Sequence, residues 1–183
     1  ALMNTESAVL KDKLVRQALQ VGTDTQSIRD AISNKLPALD IPIIGSLLTG
    51  DIPTAPAYDA NKASALLEQA GWKLEGSVRK KDGQALTLNI VTTKNPDFEA
   101  ALDELSSQWR QLGVTITTNI VDPGDPSQNV AQDILQPRRY DVLLYQLTIG
   151  GDPDVYAYWH SSQAANGLNF SNYKNAIADD ALS

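Results

Sequence analysis

Cysteine is absent from the 183-residue chain, which excludes a disulfide framework, thiolate metal sites and cysteine nucleophiles. Histidine occurs once, at His160, so a histidine-rich metal site or a serine–histidine relay has little to work with. No apolar run approaches the roughly 20 residues that cross a bilayer. The first residues carry no charged-then-apolar signal segment, so a signal, if the protein is exported, lies outside this sequence. Clustered positive charge is also scarce. Apart from Arg79-Lys80-Lys81 and Arg138-Arg139 the basic residues are scattered, and the net charge is −7. That balance argues against nucleic acid or an anionic membrane as the main partner. Internal repeats and low-complexity tracts are missing too.

What is present is an ordinary folding composition: 42% hydrophobic and 20% charged residues, enough for one domain with a real core or for two small ones. Residues 10–22 place Leu10, Leu14, Ala18 and Leu19 on one helical face, and Gly22 supplies a stop. A short helix follows, capped by Asp24 or Thr25, with Ile28, Ala31 and Ile32 on its buried side. Prolines at 37, 42, 53 and 56 argue against regular structure between residues 36 and 56. The apolar content there (Ile41, Ile43, Ile44, Leu47, Leu48) implies a loop packed onto a domain surface or a surface that meets another part.

Asp59 caps the next helix, with Ala63, Leu66, Leu67 and Ala70 on one face, Gly71 at its end and Trp72 packing back over it. Residues 77–93 read as a hairpin turning at Lys81-Asp82-Gly83, with Leu86, Leu88 and Ile90 alternating in its second strand. The clearest helix opens at the cap Asn95 with Pro96 in first position, and Phe98, Ala101, Leu102, Leu105, Trp109 and Leu112 form its stripe. Gly113 stops it, and a strand follows with Val114, Ile116 and Ile120 on one face. Strand, helix and strand joined by short links imply parallel pairing. Asp122 to Pro126 is rich in turn residues, residues 130–135 read as helical, and the helix that opens at Asn175 is read as cut at a fragment boundary.

The stretch that organises the chain is YDVLLYQLTIGGDPDVYAYWH, residues 140–160. A buried strand opens through two glycines into an Asp-Pro-Asp turn and an aromatic patch of Tyr156, Tyr158 and Trp159. A strand can fix such a loop, and glycines let backbone approach a ligand. The same residues also suit a plain strand end. Asp152 can bond its own downstream backbone beside Pro153, the aromatics can be core or cleft wall, and His160 reads as a hydrogen-bonded loop residue.

Several stretches together resemble the family-5 extracellular solute-binding proteins, the peptide- and nickel-binding group of ABC importers. YDANKASALLEQAGW (residues 58–72) is similar to a family segment reading roughly Tyr-Asp-Pro-x-Lys-Ala-x-x-Leu-Leu-x-x-Ala-Gly-Trp. Val15-Arg16-Gln17-Ala18 resembles the family's VRQA helix. The helix from Phe98 to Gly113, its following strand, and YDVLLY…GGDPDVYAYWHSS…GLNFSNYKN come in family order. The resemblance implies an α/β fold of the periplasmic-binding-protein type II kind, with a mixed sheet flanked by helices. Residues 1–183 would then form a single lobe of a longer two-lobed protein, missing its N-terminal lobe.

Its implied partners are a peptide or other small-molecule ligand, caught between lobes, and ABC permease subunits. It also implies a monomer, extracellular or periplasmic, held as a lipoprotein in full-length form. Ligand contacts are expected at Gln146, Leu147, Thr148, Ile149, Gly150, Gly151, Asp152, Asp154, Tyr156 and Trp159. No catalytic residue, metal ligand or cofactor is assigned. One departure from the family pattern matters. Peptide-binding members carry Gly-Trp at the end of the central strand and, three residues on, an aspartate that pairs with the peptide amine. Here the matching positions are Gln146-Leu147 and Gly150, and the loop is one residue shorter. A non-peptide ligand (nickel chelate, haem or saccharide) is therefore the alternative, and a carboxylate-based hydrolase a more distant one.

Overall fold

A seven-residue strand buried on both faces, β5 (Thr87–Thr93), sets the architecture. Leu88 and Ile90 alternate into one hydrophobic cluster and Val91 into another on the opposite face. The computed structural model describes residues 1–33, 41, 51–147 and 154–183. Parallel to β5 on one side runs β6 (Thr115–Val121) and on the other β7 (Val142–Leu144). The two-residue β1 (Leu2–Met3) closes the sheet antiparallel to β7, in the order β1-β7-β5-β6. The mixed sheet and the parallel pairing of β5 with β6 are as the sequence implies.

Helices cover the first face. In α1 (Lys13–Val21) Val15, Ala18 and Leu19 are fully buried, and the helix packs on α3 (Ala60–Gln69) through Ala63 and Leu67. The long α4 (Pro96–Gln111) buries Leu102, Leu105 and Trp109, whose indole N–H donates to Thr23 Oγ1 at 2.9 Å. All are capped, Asp59 and Asn95 as the sequence suggests and Asp12 in addition: each accepts backbone N–H groups in the first turn. Asp24 caps α2 (Thr25–Ala31) in the same way. The second face is covered by a π-helical turn, Ala131–Leu135, through Ile134, and by Tyr140 and Phe170.

Several expectations need correction. The first helix begins at Lys13 because Asp12 caps it, so Leu10 is buried outside the helix. On α2 only Ile28 packs on the core, while Ala31 is exposed. The hairpin's second strand is broken. β4 (Gln84–Ala85) pairs with β3 (Val78–Lys81), which also pairs with an unanticipated β2 (Lys73–Glu75) in a separate three-stranded sheet. The partner switch falls on Leu86, whose N–H donates to Arg79 C=O and whose C=O accepts from Thr115, both at 2.8 Å. The turn itself is as read, with Asp82 and Gly83 both at positive φ, the pair a two-residue hairpin turn requires. Ile120 is 40% exposed, and Val121 is the residue buried at that end of β6, on the second face. The loop expected over residues 36–56 falls mostly outside the described residues; residues 51–56 are exposed and have no regular structure.

Two buried polar anchors hold these layers. The guanidinium of Arg79, its side chain only 2% exposed, donates from Nε to Leu112 C=O at 2.7 Å and from Nη1 to Trp72 C=O at 2.8 Å. It also meets Glu68 Oε1 at 2.7 Å and the Ser64 hydroxyl. Gly113, at φ +89°, lies against it: a Cβ there would come within 2.9 Å of Arg79 Cγ. The second anchor is Tyr140, whose hydroxyl donates to Phe170 C=O at 2.8 Å. Burial pushes its phenol up to about 12, against the opposing charge of Arg138.

Arg79→Met should cost about 3 kcal/mol in urea denaturation, because two buried carbonyls lose their donor. Glu68→Gln, at a solvent-accessible partner, should cost much less. Equal losses would show that the ion pair, not the carbonyl bonds, carries the anchor. For Tyr140 the folded state holds the proton more tightly than the unfolded chain. Its contribution is therefore full below about pH 10 and lost as pH rises toward about 12. Tyr140→Phe should be less stable at neutral pH and show a shallower decline over that alkaline window.

Candidate functional site at the carboxyl edge of the sheet

The three parallel strands end level. Thr92 is in register with both Leu144 and Ile120, and the Thr92 hydroxyl donates to Leu144 C=O at 2.8 Å, fixing the point at which β7 stops. From β5 the chain passes through α4 on the first face to β6. It then returns through the π-helical turn on the second face to β7, on the other flank of β5. The strand order thus reverses between β5 and β7. In open α/β sheets the loops leaving two such strands diverge and leave a crevice beyond their carboxyl ends, where ligands bind.

Alternation along β7 and just past it sends successive side chains to opposite faces. Val142 and Leu144 pack on the first cluster, and Leu143, Tyr145 and Leu147 on the second. Gln146 is exposed beyond the strand end. It stands two residues past Leu144, as Lys94 stands two past Thr92 in the neighbouring strand. Sequence reasoning singled out Gln146 but missed Lys94, whose ammonium pairs with Asp122 Oδ2 at 2.7 Å. The only signal for it was its place just before the helix cap Asn95. Hydrogen bonding to Lys94 holds the Asp122 carboxyl below its usual range, and the same bond raises Lys94.

Of the other expected site residues, Thr148, Ile149, Gly150, Gly151 and Asp152 lie outside the described residues. Asp154 is exposed and accepts the Tyr156 N–H at 2.8 Å, the local turn bond that an aspartate at this place allows. Tyr156 opens the short α5 (Tyr156–Trp159) and stacks on His160, with ring centroids 4.2 Å apart. Trp159 faces a concavity of about 530 Å³ between β1 and α1, beside Arg16 and Tyr173; Gln146 is not among its lining residues. The indole N–H of Trp159 is buried and makes no hydrogen bond. A second concavity, about 520 Å³, surrounds Arg138 and Asp141 where β7 begins, away from the carboxyl edge. Its Asp141 is already used by the Ser7 hydroxyl and the Asn89 N–H.

His160 behaves as a loop residue. Its Nδ1 accepts the Ser162 N–H at 3.1 Å, so its proton sits on Nε2, 4.0 Å from Asp179. Ser162, His160 and Asp179 are the residue types of a nucleophile relay, but this local bond makes them a cap on a single 3₁₀ turn, Ser161–Gln163. Asp179, in α6 (Ala176–Leu182), accepts the Ser161 N–H and hydroxyl, which hold its carboxyl low. Among the described residues no group of three or more histidines or carboxylates is placed to hold a metal, and no helix is long and apolar enough to cross a membrane.

Asn169 secures this whole segment. Fully buried, it donates to Trp159, His160 and Tyr173 carbonyls and accepts the Tyr173 N–H. Asn169→Ala should cost about 2 kcal/mol or more and bring faster proteolytic nicking within residues 154–168. Unchanged protease resistance would mean the aromatic packing alone orders the segment.

A mixed sheet with helices on its faces and a strand-order reversal at its carboxyl edge defines a lobe of the periplasmic-binding-protein type II architecture. The chain belongs to the bacterial extracellular solute-binding proteins of family 5, whose middle-region model matches residues 1–169. It is 28% identical over 203 aligned positions to the oligopeptide-binding protein AppA of Bacillus subtilis (strain 168), covering 98% of this chain and 34% of that protein. It is likewise 28% identical, over 185 positions and the same shares, to the nickel-binding periplasmic protein of Escherichia coli (strain K12). The chain thus spans about a third of the length of these relatives. Among solved structures, AppA in complex with a nonapeptide superposes with a TM-score of 0.79 at 28% identity, covering 99% of this chain and 37% of that one. NikZ from Campylobacter jejuni in complex with Ni(L-His) does so with a TM-score of 0.76 at 26% identity and the same coverage.

Proposed function

We propose that residues 1–183 form one lobe of a larger solute-binding protein that captures peptides for an ABC importer. Ligand would be held between this lobe and another part of the same chain, and the closed form would be the state read by the permease subunits. No bond chemistry is involved. On the resemblance alone, the full-length protein would work outside the membrane, tethered as a lipoprotein. The observation that carries the peptide reading is the similarity to AppA, which extends over nearly the whole chain in sequence and in fold. The carboxyl edge at Gln146 fits it, since an amide that both donates and accepts can pair with a peptide backbone.

A second reading is favoured by the nickel-binding relatives, similar in sequence at 28% and 26% identity. Lacking a grouped metal-ligand set among the described residues, this lobe would take a metal as a preformed chelate.

The decisive experiment is to express the full-length protein and identify by mass spectrometry what co-purifies with it. Peptides are the expected content, and a metal chelate would favour the second reading. Site assignment is tested separately, by calorimetry with the co-purified ligand. Gln146→Ala should weaken binding about tenfold, the worth of one or two hydrogen bonds in a closed cleft. Gly150→Asp should improve binding of peptides with a free amine, restoring the carboxylate that peptide-binding relatives carry there. If both variants bind as the parent does, recognition lies elsewhere.

A further inference from the structure

We infer that Thr92 is a positioning residue for solute binding. Buried at 1% exposure, it touches no ligand, but its hydroxyl sets where Gln146 stands and through it how tightly a peptide is held. The inference rests on the peptide reading and on recognition at Gln146, and deepens both.

The place where the ladder stops gives the hydroxyl its leverage. β5 stays paired with β6 through Thr93 and Val121, but its register with β7 ends one residue earlier, at Thr92 and Leu144. Gln146 lies two residues beyond that last pair. Two extended residues span about 7 Å, so a swing of about 10° at Leu144 moves Gln146 by roughly 1 Å, enough to break a hydrogen bond. The Thr92 hydroxyl, donating to Leu144 C=O at 2.8 Å, acts at the root of that lever. The neighbours of Gln146 are held by packing instead: Tyr145 and Leu147 sit on the second cluster, Tyr145 edge-on to Phe170 with ring centroids 6.4 Å apart.

A hydroxyl is also an expensive choice for packing alone. Thr92 follows Leu88 and Ile90 at the strand's period of two, and both of those are fully buried and apolar. Valine has nearly the same shape and would fill the position with no polar group to satisfy, whereas a buried hydroxyl left unpaired is costly. Among the described residues its one partner is the carbonyl at which β7 ends. A bond of this kind adds little net stability, because folding exchanges it for bonds to water. Its specific effect is direction: it ties the last paired residue of β7 to the doubly buried strand β5, so the exit path of the chain follows the most constrained element of the sheet.

The test is a double-mutant cycle in the full-length protein, with an alanine-rich nonapeptide as the probe and calorimetry as the readout. Thr92→Val should weaken binding about fivefold, the worth of one hydrogen bond. Thr92→Ser, which keeps the hydroxyl, should stay within about twofold of the parent. Thr92→Ala also lacks the hydroxyl and replaces the valine variant if that one fails to fold. In the Gln146→Ala background Thr92→Val should change affinity by no more than about twofold, because the side chain it positions is gone. A purely structural hydroxyl would lower the melting temperature without coupling to Gln146. Losses that add in full, or a Thr92→Val protein that binds as the parent does while Gln146→Ala is weakened, overturn the inference and leave the site reading intact. If Gln146→Ala itself binds as the parent does, the site reading fails and the inference falls with it. If the parent does not bind the nonapeptide, it is the peptide reading that fails, and the inference with it.

Discussion

The rest of the structure depends on the double burial of β5. A strand with an apolar side chain on each face and a parallel neighbour on each edge cannot slip by one residue without driving Leu88 and Ile90 out of one cluster and Val91 out of the other. Once its register is fixed, so are the ends of β6 and β7, because Thr92 is paired with both Ile120 and Leu144. The level carboxyl edge is thus a consequence of core packing. A recognition surface built there inherits its geometry from side chains that no ligand touches.

Arg79 solves a different problem. The chain must leave the small sheet and enter the large one at Leu86, and such a junction would leave the carbonyls of Trp72 and Leu112 turned inward without donors. A guanidinium offers five donors in a planar fork, so one side chain can serve the ends of α3 and α4 together. Lysine could not do this from a point charge. The left-handed glycine at Gly113 belongs to the same solution, since it admits the Arg79 stem where any Cβ would collide.

Much of this was legible from local chemistry. Caps at Asp59 and Asn95, the apolar stripe of α4 and the turn at Gly83 are written in neighbouring residues, and each formed as read. The point at which a strand changes partners was not legible. The alternation of Leu86, Leu88 and Ile90 runs on from β4 into β5, and only the handover at Leu86, whose N–H goes to Arg79 and whose C=O goes to Thr115, divides them. Ile120 misled for a similar reason: period-2 patterning identifies two faces but not which is covered at the end of an edge strand. At the candidate site, the strand was readable because a short apolar run reads as one. The Lys94–Asp122 pair was not, because a lone lysine before a helix cap gives no sign of its partner until the neighbouring strand ends are placed beside it.

The contrast between scaffold and rim bears on ligand choice. Several buried polar side chains of this lobe are held inside the fold: Asn4 by Asn172, Tyr140 by the Phe170 carbonyl, Asn169 by the carbonyls around it. Changing any of them strands a partner, so they constrain the fold and are poor places to vary specificity. Gln146 and the Lys94–Asp122 pair carry no such burden, being exposed groups whose alternative partner is water. Proteins named for oligopeptides and for nickel match this chain with equal identity, so the fold cannot be what distinguishes their ligands. The distinction must lie in side chains that can change without cost to packing. On this lobe exposed side chains of that kind stand where the parallel strands end.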